Sequence, residues 1–146
     1  MDTNGNTKKI LIKDLCSRLP YGVKVRHLPS QIPLEILSIN PNGVAWVTGD
    51  KGYPFEVDWS NCKPYLFPLS SMTEEQKYDF YCRFIENDCD FDDFKESYLD
   101  NGMWHKLLTS LDDIEAIIDW FNKNHFDYRG LIPMEIANDA TGLNIY

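Results

Sequence analysis

CKPYLFPLSSMTEEQ, residues 62–76, is where the chain changes character. Its first half, CKPYLFPL, has the aromatic and apolar content of a strand. Pro64 and Pro68 remove two backbone donors, which points to an edge or a short irregular strand. Its second half holds two overlapping capping boxes, Ser71 with Glu74 and Thr73 with Gln76, which announce a helix. The hydrophobic period therefore switches from two to 3.6 at Ser70, and the fold class follows from that switch: α+β, strands before it and helices after it.

Upstream, VKVRHL (23–28), PLEILSI (33–39), VAWVT (44–48) and YPFEVDW (53–59) read as short strands. They are punctuated by Asn40-Pro41-Asn42-Gly43 and Gly49-Asp50-Lys51-Gly52, both turn-forming sets. So many short strands in roughly 50 residues make no stable flat sheet in water. The expected solution is a small SH3-like antiparallel barrel. Ahead of it, TKKILIKDLCSRL (7–19) places Leu11, Ile12, Leu15, Cys16 and Leu19 at helical spacing, and Pro20 ends that helix.

Downstream, Tyr81, Phe84 and Ile85 share one face of a helix running to about Asn87. A short helix is expected around Phe91–Leu99. Ser110 with Asp113 opens a last one, whose stripe is Ile114, Ile117, Ile118 and Phe121, with Asn124 as its left-handed stop. The expected layout is residues 1–72, a helix and the barrel, and residues 73–146, an acidic helical half, packed as one unit.

The formal net charge of −9 is concentrated. Residues 73–119 carry fourteen acidic and four basic residues, whereas residues 1–72 carry six acidic and eight basic ones. No comparable basic stripe exists, so nucleic acid is not expected as a general partner. Four cysteines without a C-x-x-C pair, no apolar run approaching ~18 residues and no signal-peptide pattern suggest a cytoplasmic chain with reduced thiols that does not engage a membrane.

Three phrases, KDLCSRLPYGVKV (13–25), KPYLFPLSSMTEEQ (63–76) and WFNKNHFDYRGLI (120–132), resemble recurring phrases in small uncharacterised proteins of gut Bacteroidales, their phages and mobile elements. They cover about 40 of the 146 residues. The resemblance implies a bacterial or phage setting and a β-rich first half before a helical second half. It brings no activity, cofactor or catalytic residue.

Candidate site residues fall in three groups. His125, Asp127, Tyr128 and Arg129 follow a helix end, where Asp127 and Arg129 can bond freed backbone groups and the helix dipole favours a charged His125. No nucleophile or metal motif accompanies them, so capping and packing is the preferred role and a polar binding contact the second. Asp88, Asp90, Asp92 and Asp93 form an acidic run. Its resemblance to a calcium loop fails at Asp93, where glycine is needed, and at Leu99, where glutamate is needed. The barrel aromatics make the third group: Trp46 and Phe55 are expected in the core, Tyr53 and Trp59 exposed for binding. Cys16 and Cys62 read as small core residues. Cys82, Cys89 and His105 lack zinc-ligand spacing, and no cofactor motif is present.

The expected function is a non-catalytic binding protein, a phage or mobile-element inhibitor that binds a host protein bearing a basic surface or sequesters a small signalling molecule. The alternatives are a small hydrolase or nuclease using acidic residues and His125, and a phage structural or assembly component, for which homo-oligomers would be natural.

Overall fold

The computed structural model describes residues 3–27, 32–49, 52–86, 89–99 and 113–146. The chain forms two compact units, Met1–Pro68 with Asn122–Tyr146, and Leu69–Phe121.

The first unit opens with helix α1, Thr3–Arg18, and a 3-10 turn through Pro20 that ends on Gly22 in the left-handed region. Strands β1 (Lys24–His27), β2 (Leu34–Ile39), β3 (Val44–Thr48), β4 (Phe55–Asp58) and β5 (Cys62–Pro68) follow. The β2–β3 turn forms as its residues dictate: Asn40 Oδ1 accepts from Asn42 N at 2.8 Å, and Gly43 supplies φ 105°. One face of the sheet buries Val25, Leu34, Ile36, Ala45, Val47, Val57 and Cys62 in the same cluster as Leu11 and Leu15 of α1.

The expected barrel does not form. The sheet is open, seven-stranded and mixed, in the order β4-β3-β2-β1-β5-β6. Two short strands from the end of the chain, β6 (Phe126–Asp127) and β7 (Asn138–Asp139), pair parallel to β5. The side of β5 that β4 would need for closure is therefore taken, and β4 remains an edge. Nor is β5 an edge. Its partners change along its length: β1 at Cys62–Pro64, β7 at Tyr65–Leu66 and β6 at Phe67–Pro68. Pro64 falls where β1 gives way to β7 and Pro68 is the last residue of the strand, so neither missing donor interrupts a continuous ladder. The helix expected ahead of the strands forms, but the order of strands followed only by helices does not hold, since the chain returns to strand after its last helix.

The second unit contains helix α2 (Glu74–Phe84), a short helix α3 (Phe91–Phe94) that runs on as a π-helical turn through Leu99, and most of helix α4 (Ile114–Lys123). Its centre is Phe80, whose ring lies 4.9 Å from Phe84, 5.9 Å from Phe94, 5.2 Å from Trp120 and 5.7 Å from Phe121. Trp120 Nε1 donates to Asp79 Oδ2 at 2.8 Å, so the indole is buried with its polar atom satisfied. Asp113 Oδ1 caps the start of α4 by accepting from Ala116 N; its expected partner Ser110 lies outside the described residues.

Of the two capping boxes in the sequence, Thr73 with Gln76 is the reciprocal one. Gln76 N donates to Thr73 Oγ1 at 3.2 Å and Thr73 N to Gln76 Oε1 at 2.9 Å. Thr73→Ala should lower stability by about 1 kcal/mol. Urea melts of the two proteins check this; an unchanged midpoint would show that α2 does not depend on its cap.

Candidate functional site

The NHFDYRG segment closes on α1 through charge. Asp14 and Arg18, one turn apart on α1, are both fully buried, and Arg18 Nε donates to Asp14 Oδ2 at 2.9 Å. Arg18 Nη2 donates to the Phe126 carbonyl at 2.7 Å. Arg129 Nη1 reaches the other Asp14 oxygen at 2.8 Å and Ser17 Oγ at 3.2 Å. The Tyr128 ring receives both guanidinium groups, Arg18 at 5.2 Å and Arg129 at 4.8 Å. Asp127 accepts from Leu131 N and Ile132 N at 2.8 and 2.9 Å, fixing the turn that follows it. Arg129 thus binds a buried carboxylate on α1, and Asp127 holds a downstream turn. Neither serves the end of α4.

His125 takes the left-handed position expected for Asn124, with φ 61°. Its carbonyl accepts from Phe67 N at 2.8 Å. Its ring stacks on Tyr146 at 3.5 Å, 9° from parallel. The Tyr146 hydroxyl accepts from Lys24 N and donates to the Tyr65 carbonyl, which pins the last residue over the histidine. The helix dipole does not keep His125 charged. Burial, with the positive charges of Arg18 and Lys24, lowers its pKa to about 4. Desolvation also raises the Tyr146 phenol to about 12. The charged groups that act on this neutral, stacked imidazole among the described residues are the cations Arg18 and Lys24, not a carboxylate that would orient it as a general base.

That shift gives stability a pH dependence. Because the folded pKa lies below the ordinary 6.5, the unfolded chain binds the extra proton first. The contribution is whole above about pH 6.5 and is lost as pH falls toward 4. The denaturation midpoint should decline over that window. His125→Asn, which tolerates the same backbone angle and does not titrate, should decline less. Parallel curves for the two proteins would contradict this.

The aromatics exchange the places expected of them. Trp59 is 9% exposed and belongs to the core, whereas Trp46 and Phe55 are 41% and 45% exposed. Trp46 pairs with Glu56 and Ser38, outside the Ala45 and Val47 face that is buried. Tyr53 is 93% exposed, as expected. Cys16 is exposed rather than core, while Cys62 is buried with its thiol pushed up to about 11.

In the second unit the acidic run has an exposed surface and local structural duties. Asp90 caps α3 by accepting from Asp93 N at 2.8 Å. Asp90, Asp92 and Asp93 are exposed; Asp88 lies outside the described residues. Residues Leu69–Phe121 hold fourteen carboxylates and four basic side chains, against nine and ten in the first unit. Lys77 pairs with Glu74, Arg83 with Asp79, and Lys95 with Glu74 and Asp92. The three described cations are thus already engaged inside a unit that stays strongly negative.

No family model matches the chain, and comparison with curated proteins and with solved structures returns no match. No helix of the described residues is long and apolar enough to cross a membrane.

Proposed function

We propose that this is a binding protein whose acidic helical unit docks on a basic surface of a partner protein. The concentration of charge carries the reading: Leu69–Phe121 has a net formal charge of −10 and the remainder of the chain +1. Solvation alone needs no such segregation, since mixed signs keep a surface soluble. A one-signed field on a small unit speeds association with an opposite charge and discourages like-charged competitors. The partner's surface is recognised by charge, so it belongs to the class that ordinarily faces phosphates or acidic proteins. In a bacterial or phage setting the consequence of docking would be to block that surface in a host protein.

The hydrolase alternative gains no support from His125, whose ring is stacked under Tyr146 and neutral at pH 7. The test is a paired affinity capture from bacterial lysate, with wild-type bait and with Asp90, Asp92 and Asp93 all reversed to lysine. A protein held by the first bait and lost from the second, at equal bait folding by circular dichroism, supports docking. Identical sets from both baits contradict it.

A further inference from the structure

The aromatic core of the second unit runs out to its surface. Phe80 stacks on Phe94 at 5.9 Å, Phe94 meets Tyr81 at 5.9 Å, Tyr81 meets Phe91 at 5.4 Å, and Phe91 meets Tyr78 at 5.2 Å. Phe80 and Phe94 are fully buried, Tyr81 and Phe91 half-buried, and Tyr78 is 54% exposed. Tyr78 and Tyr81 stand three residues apart on α2 and so share one face of it, their ring centroids 6.2 Å apart. The series ends in a surface triad, Tyr78, Tyr81 and Phe91, whose outermost member faces water.

A single exposed aromatic side chain is ordinary. This one is set apart by the charges around it. Lys95 Nζ lies 4.5 Å from the centroid of the Phe91 ring, held there by Glu74 and Asp92. The unit therefore already makes a cation–π contact on one member of the triad. Glu86 stands at the other end, just past α2, where its N–H donates to the Tyr81 carbonyl at 2.9 Å. Its carboxylate acts on both tyrosines. The Tyr78 phenol is held above its ordinary value by its hydrogen bond with Cys82 first, with Glu86 adding to it; Tyr81 is raised by desolvation first and then by Glu86. Glu86 is exposed and makes no ion pair among the described residues.

We propose that this triad receives an arginine side chain from the partner protein's basic surface, its guanidinium lying on the Tyr78 ring and its charge met by Glu86. The inference rests on the docking role proposed above and gives that docking an anchor. Carboxylates alone attract lysine and arginine alike; the rings separate the two. A guanidinium is planar, more weakly hydrated than an ammonium and stacks on aromatic faces, and it can bond one carboxylate through two N–H groups at once. Tyrosine and arginine are also among the residue types that carry most of the energy of protein interfaces.

The test is an NMR titration of the full chain at low salt with two peptides of equal charge, tetra-arginine and tetra-lysine, following ring and amide shifts. Saturable shifts centred on Tyr78, Tyr81, Phe91 and Glu86 are expected. The Kd for tetra-arginine should be lower than that for tetra-lysine by about threefold or more, the size of an exposed cation–π contact. Tyr78→Leu keeps apolar bulk at an exposed helix position and should abolish that preference while leaving tetra-lysine binding unchanged. Tyr78→Phe keeps the ring and should retain the preference. Equal affinity for the two peptides, or an arginine preference that survives Tyr78→Leu, overturns the anchor and leaves docking by charge standing. Failure of both peptides to bind the wild-type chain overturns the anchor and the charge docking together.

Discussion

Asp14→Ala should cost about 3–5 kcal/mol, the largest stability loss expected of any single carboxylate removal among the described residues. Asp14 is fully buried and each of its oxygens accepts from a different guanidinium, Arg18 on one side and Arg129 on the other. Removing it strands the positive charge of Arg18, itself fully buried, where water cannot replace the lost partner. Against the ~5–15 kcal/mol total of an ordinary domain, such a loss leaves a measurable unfolded fraction at 37 °C. Arg129→Ala should cost far less, because Arg129 is partly exposed and its removal leaves Asp14 still paired with Arg18. Guanidinium melts of the two variants decide the order. Equal, small losses would show that α1 and the HFDYRG segment are held by apolar contacts alone.

The second large effect is kinetic. With a captured partner in hand, reversing Asp90, Asp92 and Asp93 to lysine changes the charge of the second unit from −10 to −4. Electrostatic steering contributes roughly 10–10³ in association rate, and a change of six charges close to the contact should remove most of it. Dissociation should change much less, because exposed carboxylates act during encounter more than in the bound state. The variant should stay folded. Asp92 and Asp93 make no buried contact, and the loss of the Asp90 cap affects only the short helix α3. Stopped-flow mixing of both proteins with the partner separates the two rate constants. A slowed association with an unchanged dissociation is the expected pattern; a change confined to dissociation would place these residues inside the contact instead.

The strands β1–β5 were legible because each is bounded by residues with a turn-forming reason, such as Asn40 through Gly43. Their closure was not. A barrel is the economical answer for five short strands considered alone, and nothing in FD or ND marks a two-residue strand that returns to pair with β5. Such pairings are settled by distant packing, which a local pattern does not carry. Pro64 and Pro68 misdirected the assignment of β5 for the same reason, since their cost depends on which neighbour ends where.

Side-chain placement failed where a default rule met a special case. Asp14 and Arg18 lie on one helical stripe with Leu11 and Leu15, yet charged residues are almost never fully buried unless paired. The spacing of four between them was the available signal. The alternation of Trp46 with smaller residues points it to the core, although those small neighbours, Ala45 and Val47, own the buried face. Phe80 was passed over for Tyr81, one position along the same helix. His125, Tyr128 and Arg129 stand out as one polar cluster in the sequence, but the anchors that hold Arg129 and His125, Asp14 and Tyr146, are more than a hundred and about twenty residues away respectively.

The docking role of the acidic unit is tested most directly by the association rate of the wild-type protein with its captured partner, measured as a function of salt. Screening shortens the reach of the field from ~10 Å at 0.1 M to ~3 Å at 1 M. A fall of tenfold or more in the association rate across that range, with dissociation nearly constant, is the expected result. An association rate indifferent to salt would contradict docking through charge and reduce the acidic surface to a means of staying soluble.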